Sequence, residues 1–463
     1  MDYQVSVVGL GKLGSCLAAS LAYHGCDVIG IDVDEDVVET LQQGQSPYDE
    51  PMLQEYLDAA GDHFIATTDY TAVRRTNVTF VFVDTPSCRD GRYDHDTVRT
   101  ACRSVGRQLR AVDDYHLVVV RSTVMPGTID TEVRPVLAEA SDKIPGEDVG
   151  LCYCPEFTAV GEVVSGMERP DFFLIGEDDE RAGDVLSSLY REWVDNHSPV
   201  LRTDIYSAEI AKMAVNTYIS MKISFANTLS QVCQGTGGNV DDVSEILGYD
   251  SRINSAYLTG GTRFGGPCFP RDNKAFATLA RSAGTTAPLA TATDEVNDGH
   301  TGWLVDAVSD ATPSDGAVGI LGLTYKPGVT LVEESQGMHL LESLRGEYAL
   351  SCWDPNGEEH VRRHVGDNVH TPSTLSETLS TVDTAVVAVR WDELTEASTY
   401  RGHNLTVVDP WRIFDHETFG GSVTYVPLGA PISATIRETD DQQLAKRAES
   451  GDTTQSSHKA KKE

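Results

Sequence analysis

Cysteine is scarce in this sequence and irregularly spaced. Nine cysteines occur in 463 residues, and no two of them have the CxxC spacing of zinc sites and redox pairs. We therefore exclude a disulfide framework, expect no metal site, and expect reduced thiols, as in a cytosol. Cys152 and Cys154, which flank a single residue, are predicted to belong to a buried strand.

Long hydrophobic runs are also lacking. No stretch reaches the roughly 18 to 20 consecutive apolar residues that a membrane span requires. Met1 leads directly into a strand pattern and not into a signal peptide. These absences predict a cytoplasmic protein that does not associate with membranes. Its length predicts two or three domains, each large enough to bury a core.

Basic residues are few compared with acidic ones. The chain has 36 Lys and Arg against 71 Asp and Glu, a formal net charge of −35 that is spread along the whole sequence. This excess excludes nucleic acid as a partner, because phosphates would be repelled. It favours a halophilic protein, since screening in about 1 M salt shortens the reach of self-repulsion to about 3 Å. An ordinary acidic protein is the alternative.

The order of sequence patterns predicts an α/β fold. Buried strands are predicted at 5–9, 27–32, 78–83 and 117–120, and again at 318–323, 348–352, 385–389 and 405–408. One long helix is predicted at 204–234. We therefore expect two Rossmann-like, doubly wound domains joined by a long central helix or helical domain. The predicted boundaries are 1–200, 201–305 and 306–429, followed by a disordered polar tail at 430–463.

A glycine-rich turn follows the first predicted strand and precedes a helix. Gly9, Gly11 and Gly14 form a GxGxxG pattern there. Glycines permit a tight turn and a close approach of the backbone to a pyrophosphate at the helix N-terminus. Asp32 ends the next strand, where a carboxylate binds ribose hydroxyls and repels a 2′-phosphate, which favours NAD over NADP. The alternative is a glycine-rich turn with an unrelated aspartate.

A second glycine-lined loop carries a cysteine beside charged side chains. Cys268 follows Gly265 and Gly266 and precedes Arg271 and Asp272. Glycine leaves room for a bulky ligand, and a neighbouring arginine favours the nucleophilic thiolate. A buried, inert cysteine is the alternative.

The long predicted helix supplies polar partners for that thiol. Lys212 and Asn216 stand four residues apart and share one helix face, with Glu209 one turn earlier. Lysine at such a position stabilises a developing oxyanion, and asparagine donates to it. Taken alone, Lys212 and Asn216 are better explained by an exposed polar helix face.

Together these motifs resemble the UDP-glucose/GDP-mannose dehydrogenase family, over residues 5–412. The motifs are the dinucleotide turn, STVMPGT at 122–128, PEF at 155–157, the helix segment 212–216, the thiol loop, and GLTYKPG at 322–328. The resemblance implies that a sugar C6 alcohol is oxidised twice to a carboxylate, with two NAD, through a thiohemiacetal and a thioester on cysteine. It also implies a UDP-sugar substrate and a place in polysaccharide biosynthesis.

The resemblance assigns roles to individual residues. The implied catalytic positions are Cys268, Lys212, Asn216, Asp272, Thr123 and Glu156. The implied cofactor-binding positions are Gly9, Gly11, Leu13, Gly14, Asp32, Thr85, Thr123 and Lys326. The implied substrate-binding positions are Glu156, Lys212, Asn216, Arg252, Tyr257, Leu258, Gly265 and Lys326. Arg252 matches an arginine that reaches the substrate of a neighbouring subunit, which implies a homodimer.

Three positions depart from the family pattern. Val160 stands where a second glutamate is usual, Arg271 replaces a lysine, and Glu333 stands where an arginine is common. The version of the thiol loop favours UDP-glucose as the substrate. The segment around Glu156 resembles the UDP-N-acetylmannosamine branch, which makes that sugar the alternative.

Two other functions compete with this one. A two-electron hydroxyacid or phosphogluconate-type dehydrogenase would combine a dinucleotide domain with a long helix but would not require Cys268. A nucleotide-sugar binding protein without catalysis is suggested by the missing glutamate at Val160 and by Glu333. The retained cysteine argues against it, because loss of catalysis usually erases the nucleophile.

Overall fold

A computed structural model describes residues 3–194, 197–400, 402–414, 419 and 423–431. The predicted tail, from residue 432 onward, lies outside the described residues. Within the ranges that are described, no helix is long and apolar enough to cross a membrane.

The N-terminal domain is built on one eight-stranded sheet. Its strands are β1 (Gln4–Val8), β2 (Asp27–Ile31), β3 (Phe64–Thr67), β4 (Val78–Val81), β5 (His116–Val120), β6 (Val149–Tyr153), β7 (Phe173–Glu177) and β8 (Val200–Asp204). Their order is β3-β2-β1-β4-β5-β6-β7-β8. Strands β1 to β6 are parallel, whereas β7 runs antiparallel to β6 and parallel to β8. The helices of this domain are α1 (Lys12–Tyr23), α2 (Glu35–Gln42), α3 (Leu53–Ala60), α4 (Asp96–Leu109), α5 (Arg134–Ser141), α6 (Val163–Glu168) and α7 (Glu180–Trp193).

Continuous apolar runs form the central strands because both faces of this sheet are covered. In β5, Leu117 and Val119 point into one hydrophobic core, and Val118 and Val120 point into the other. Successive strand residues face opposite sides, so a strand buried on both faces must be apolar throughout. Cys152 lies in β6, as predicted, and Cys154 follows directly after it; both thiols are buried and free.

A group of helices forms the centre of the molecule. They are α8 (Ile205–Thr236), α9 (Val240–Tyr249), α10 (Phe269–Ser282) and α11 (Pro288–Ala311). The long predicted helix is therefore confirmed. It begins at Asp204, whose side chain accepts a hydrogen bond from the Ser207 amide at 2.8 Å. It ends at Gly237, whose φ of 77° is a left-handed conformation that ends the helix and that glycine adopts at little cost.

The buried face of α8 is mostly polar or small-chained, with Ile205 and Met213 as large apolar exceptions, and several other large apolar side chains lie outside. Lys212 and Asn216 are buried, as are four serines or asparagines further along the helix. Tyr218, Phe225 and Val232, by contrast, are each about half exposed or more, at 59%, 52% and 52%. The apolar spacing that predicts this helix therefore marks a surface of the single chain and not its core.

The third domain is a five-stranded parallel sheet. Its strands are β9 (Ala317–Leu321), β10 (Ala349–Trp353), β11 (Thr384–Val387), β12 (Leu405–Asp409) and β13 (Val423–Pro427), in the order β10-β9-β11-β12-β13. Its helices are α12 (Gln336–Leu344), α13 (Glu358–Val365) and α14 (Leu375–Ser380). Leu304 and Val308 of α11 belong to its core, so α11 joins the central helices to this sheet. The predicted α/β fold class, with two such sheets, is confirmed.

Candidate active site

The glycine-rich turn between β1 and α1 is shaped for a dinucleotide. Gly9 has a φ of 95°, and a Cβ there would lie 2.3 Å from the Phe82 carbonyl oxygen. A Cβ on Gly14 would lie 1.9 Å from the Gly9 carbonyl oxygen. Gly11 caps α1, so the free amides of the first helical turn face the turn. Only glycine fits at positions 9 and 14, and the resulting tight turn suits the pyrophosphate of NAD.

Asp32 lies directly after β2, beside the same turn. Its carboxylate accepts hydrogen bonds from the Leu10 amide at 2.5 Å and from the Asp34 amide at 2.9 Å. The carboxylate is thereby held where the ribose of a bound dinucleotide would lie. Leu13, also predicted to contact the cofactor, is half-buried and packs against the N-terminal core.

Two threonines meet where β4 and β5 end. The Thr85 hydroxyl donates to the Thr123 carbonyl oxygen at 2.7 Å, and the Ser122 hydroxyl donates to the Val83 carbonyl oxygen at 2.7 Å. In a doubly wound sheet, ligands bind outside the carboxyl ends of the strands. Thr85 and Thr123 therefore lie at the carboxyl-end side of the sheet, and their contact with the cofactor stays a prediction.

Cys268 is the residue that caps the N-terminus of α10. Its side chain is exposed to solvent, although the surrounding protein displaces enough water to raise the pKa of the thiol. Asp272 raises this pKa further, whereas Lys212 and Arg271 lower it. The positive end of the helix dipole also favours a thiolate at this position.

The glycines before the thiol lie close to the third domain. A Cβ on Gly265 would lie 2.3 Å from the Glu334 carbonyl oxygen, and one on Gly266 would lie 2.7 Å from the Tyr325 ring. The Gly266 amide donates to the Glu333 carbonyl oxygen at 2.8 Å. Glu333, which departs from the family pattern, thus holds the thiol loop through its backbone, while its side chain is exposed.

Asp272 lies one turn after Cys268 and is fully enclosed. Its carboxylate accepts hydrogen bonds from Asn216 Nδ2 at 2.6 Å and from the Tyr93 hydroxyl at 2.7 Å. The Asp272 amide donates to the Cys268 carbonyl oxygen at 2.8 Å. The structure thus brings α8 and α10 together, as predicted, and adds Tyr93, which no sequence motif indicates.

Lys212 lies one helical turn before Asn216 and is only 6% exposed. Its ammonium nitrogen lies 5.0 Å from the centroid of the Phe157 ring, a cation–π contact. Lys212 also lowers the pKa of the Cys268 thiol, so its positive charge acts on that sulfur. Because Lys212 and Asn216 are both buried, the alternative explanation of an exposed polar helix face is wrong.

Glu156 faces inward and pairs with the buried Arg121. Its other carboxylate oxygen accepts hydrogen bonds from the Phe157 and Thr158 amides at 2.8 and 3.0 Å. Arg121 also donates to the Tyr190 hydroxyl at 3.0 Å. The carboxylate that the family pattern assigns to water or proton handling is thus tied to an internal cation in this conformation.

Glu50 is a further buried carboxylate that sequence reasoning missed. It accepts hydrogen bonds from the Gly161 and Val163 amides at 3.1 and 2.9 Å, and it lies 3.6 Å from the Lys12 ammonium. Lys12 begins α1 at the dinucleotide turn. Glu50 therefore connects that turn with the segment after Glu156, which lacks the usual second glutamate.

Glu209 is not one of the residues that contact Asp272 beside Cys268. Its two carboxylate oxygens accept hydrogen bonds from the Gly127 and Ile129 amides at 2.6 and 3.0 Å. Burial raises the pKa of Glu209 to about 7, against the opposing effect of these two amides. Glu209 thus fastens the segment after Thr123 to α8.

This raised pKa predicts a pH-dependent stability. The folded state binds the Glu209 proton more tightly than the unfolded state, so this contribution is complete below pH 4.5 and is lost as the pH rises to about 7. Its size is on the order of 3 kcal/mol. In Glu209→Gln, the thermal unfolding midpoint should therefore fall less than in the wild type between about pH 5 and about pH 8. Parallel curves for the two proteins would contradict this assignment.

A cavity of about 220 Å³ opens at the carboxyl ends of the third-domain strands. It lies beyond the ends of β9 and β11. The strand order reverses between these two neighbouring strands, and sheets of this kind bind nucleotides at such a point. Its lining residues are Thr262, Tyr325, Lys326, Pro327, Ala388, Val389, Arg390 and Trp411. Burial lowers the pKa of Lys326, and the Glu162 and Glu50 carboxylates oppose this shift. Two cations and two aromatic rings thus line one cavity.

The predicted substrate residues before the thiol loop are placed differently from one another. Leu258 is buried, whereas the Tyr257 ring is half exposed and lies 6.3 Å from the Phe269 ring beside Cys268. Arg252 is 85% exposed and pairs with Asp250 of its own chain. Within the described part of the chain, no cluster of His, Cys, Asp and Glu is arranged to hold a metal ion.

Comparison with known proteins identifies the family. Models of the UDP-glucose/GDP-mannose dehydrogenase family match its NAD binding domain at residues 3–194, its central domain at 206–299 and its UDP binding domain at 319–416. The chain belongs to this family.

Individual relatives of this dehydrogenase family cover most of the chain. A UDP-glucose 6-dehydrogenase of Haloferax volcanii is 37% identical over 84% of this chain and 92% of that protein. A GDP-mannose 6-dehydrogenase of Pseudomonas syringae pv. tomato is 33% identical over 80% of this chain and 85% of that protein. The structure of a UDP-glucose dehydrogenase from Pyrobaculum islandicum aligns with a TM-score of 0.84 at 31% identity, covering 93% of this chain and 98% of that one.

Membership of the UDP-glucose/GDP-mannose dehydrogenase family confirms several predictions. The family, the α/β fold, NAD as the cofactor and the class of NAD-dependent nucleotide-sugar 6-dehydrogenases are as expected. The sugar is not fixed, because relatives named for UDP-glucose and for GDP-mannose both match. The roles of single residues stay predictions.

Proposed function

We propose that this protein oxidises UDP-glucose to UDP-glucuronate in two NAD-dependent steps, the second of which takes place on Cys268. The observation that carries the proposal is the position of Cys268 at the start of α10, with Lys212, Asn216 and Asp272 around it. This group lies between a turn shaped for a dinucleotide and a cavity at the strand ends of the third domain.

Each residue has a chemical task in this scheme. Two molecules of NAD, bound in turn at the dinucleotide turn, would each accept one of the two hydrides that leave C6. The Cys268 thiolate adds to the aldehyde to give a thiohemiacetal, which loses the second hydride to become a thioester, and water then releases the carboxylate and the free thiol. Lys212 and Asn216 stabilise negative charge on the C6 oxygen in the tetrahedral states. Asp272 and Thr123 orient water, and Glu156 serves the same step when freed from Arg121.

The third-domain cavity is proposed to hold the nucleotide. Lys326 and Arg390 supply positive charge for a diphosphate, and Trp411 supplies an aromatic face for a base. The match of this domain to a UDP binding domain supports uridine as the base. UDP-glucose is preferred over UDP-N-acetylmannosamine because a UDP-glucose 6-dehydrogenase aligns along most of the chain.

Initial rates with several sugars test this assignment. UDP-glucose, UDP-N-acetylmannosamine, UDP-N-acetylglucosamine and GDP-mannose are each supplied at molar KCl with NAD, and NADH is followed by absorbance. We expect kcat/KM for UDP-glucose to exceed that for each other sugar by at least about tenfold. A higher value for any other sugar would overturn the choice of UDP-glucose, and no NADH with any sugar would favour a binding protein.

We also propose that the protein works as a homodimer. The exposed side chains of Tyr218, Phe225 and Val232 stand seven residues apart along α8, so they form one apolar stripe. Ile246 and Tyr249 of α9 add further exposed apolar surface, at 70% and 82% exposure. Such a surface is typical of an interface. In a dimer, Arg252 would reach the neighbouring active site.

Complementation between a variant with weakened sugar binding and an inactive variant, assayed at a sugar concentration near the wild-type KM or below it, tests the role of Arg252. Arg252→Ala should raise the KM for the sugar at least about tenfold, because a charged contact to substrate is lost. When Arg252→Ala and Cys268→Ala chains are co-expressed, mixed dimers should contain one intact site. Random pairing then restores about a quarter of wild-type activity. If Arg252 serves its own subunit, the mixture will show only the residual activity of the Arg252→Ala chains.

We propose from the net charge that the protein works in concentrated salt. A net charge of −35 and a similar protein in Haloferax volcanii support a halophilic, cytoplasmic enzyme. Glucuronate-type products support a place in polysaccharide biosynthesis. Assays are therefore best carried out in molar salt.

A further inference from the structure

Tyr93 lies in the segment 84–95 that follows β4. Its side chain is 4% exposed and packs with Met125, Met213 and Ala275. Its hydroxyl donates to Asp272 Oδ1 at 2.7 Å, while Asn216 donates to Oδ2 at 2.6 Å. A buried tyrosine hydroxyl requires a hydrogen-bond partner, and here that partner is the carboxylate one turn from Cys268.

Arg271 reaches the same carboxylate by another route. Its Nε donates to Asp272 Oδ1 at 3.3 Å, and its guanidinium carbon lies 4.7 Å from the centroid of the Tyr93 ring. Its Nη1 donates to the Thr85 carbonyl oxygen at 3.2 Å. A guanidinium offers a flat face and several donors at once, whereas a lysine ammonium offers a single point of charge. Arg271 can therefore contact the Tyr93 ring with its flat face while it donates hydrogen bonds to Asp272 and Thr85.

The segment that carries Tyr93 is also fastened to α10 further along the helix. The Thr278 hydroxyl donates to the Asp90 carbonyl oxygen at 3.0 Å. A Cβ on Gly91, which has a φ of 84°, would lie 2.9 Å from that hydroxyl. Contacts at both Arg271 and Thr278 thus fix the segment against the thiol helix, and the position of the Tyr93 hydroxyl follows from them.

We propose that Tyr93 and Arg271 are a coupled pair of positioning residues that hold the Asp272 carboxylate in place beside Cys268. Tyr93 supplies the hydroxyl, and Arg271 supplies a second donor and keeps the Tyr93 ring in place through its flat face. Asn216 fixes the other oxygen, so the carboxylate cannot turn. The inference rests on the proposed function, because it assigns a use to the group around Cys268.

Steady-state kinetics of the full-length protein test the pair. Tyr93→Phe keeps the ring and removes only the hydroxyl, and Arg271→Lys keeps the charge and removes the flat face. Each change should lower kcat about 10- to 100-fold, as expected for a lost hydrogen bond to a charged group. The KM for NAD should stay within about twofold, because the dinucleotide turn is untouched. Tyr115→Phe is the matched control, since its buried hydroxyl has no hydrogen-bond partner among the described residues.

The double variant shows whether the two residues act together. If they do, Tyr93→Phe/Arg271→Lys should have a kcat within about threefold of the slower single variant. A loss equal to the product of the two single losses would overturn the coupling. A Tyr93→Phe kcat equal to that of Tyr115→Phe, in an active wild type, would overturn the role of Tyr93 and leave the proposed function intact.

Alkylation of Cys268 gives a measurement that needs no turnover. In Tyr93→Phe the Asp272 carboxylate loses a donor, so its negative charge acts more strongly against the Cys268 thiolate. Iodoacetamide at fixed pH should therefore label the Cys268 peptide several-fold more slowly than in the wild type, with labelling of Cys88 as the internal standard. An unchanged rate would overturn the proposal, even if no sugar substrate were found.

Discussion

Cys268→Ala should abolish oxidation of the nucleotide sugar to the acid. Without the thiol no thiohemiacetal forms, so the aldehyde is not held for the second hydride transfer and no thioester can be hydrolysed. We expect kcat for NADH formation to fall about 10³-fold or more. The affinity for NAD, measured by quenching of intrinsic fluorescence, should change less than about threefold, because the dinucleotide turn lies on another domain.

Cys88→Ala is the control for this variant. Cys88 and Cys268 are the two exposed cysteines among the residues that the structure describes. Loss of Cys88 should leave turnover unchanged. If Cys268→Ala turns over at a normal rate, the protein is a two-electron dehydrogenase and the covalent scheme is wrong.

Lys212→Met should have the next largest effect. Lys212 is buried, contacts the Phe157 ring and lowers the pKa of the Cys268 thiol. Methionine keeps much of the length and apolar character of the side chain and removes the charge. We expect kcat to fall about 10²- to 10³-fold, the usual cost of removing one group that stabilises an oxyanion.

The same substitution also tests the state of the thiol. Loss of the Lys212 charge should move the pH profile of Cys268 alkylation toward higher pH, because one of the two cations that lower its pKa is gone. Lys274→Met on α10 is the control, since Lys274 is exposed. If both variants retain full turnover, Lys212 has a structural role only.

The sequence is sufficient to predict most of the elements that are buried on both sides or framed by glycine. Strand β7 is not among them, although Phe173 and Leu174 face the two hydrophobic cores. Strand β5 has no polar residue between 117 and 120, and the dinucleotide turn needs Gly9 and Gly14 for steric reasons. Strand β8 was missed as a strand because its residues are half-exposed or exposed and include Arg202 and Asp204. Its place in the sheet depends on pairing with β7, and no local pattern shows that pairing.

Contacts between distant segments explain what the sequence could not show about the site. Tyr93 and Asp272 are 179 positions apart, and Glu50 and Gly161 are 111 apart. Nothing near Tyr93 or Glu50 distinguishes them from ordinary surface residues. The four-residue spacing of Lys212 and Asn216, by contrast, is local to one helix and was read correctly, because helix geometry alone puts them on one face.

The stoichiometry of NADH formation tests the central claim most directly. UDP-glucose is supplied in limiting amount, with excess NAD at molar KCl, and the reaction is followed to its end. The four-electron scheme predicts two NADH for each UDP-glucose and formation of UDP-glucuronate. One NADH for each sugar, with the aldehyde as product, would contradict it.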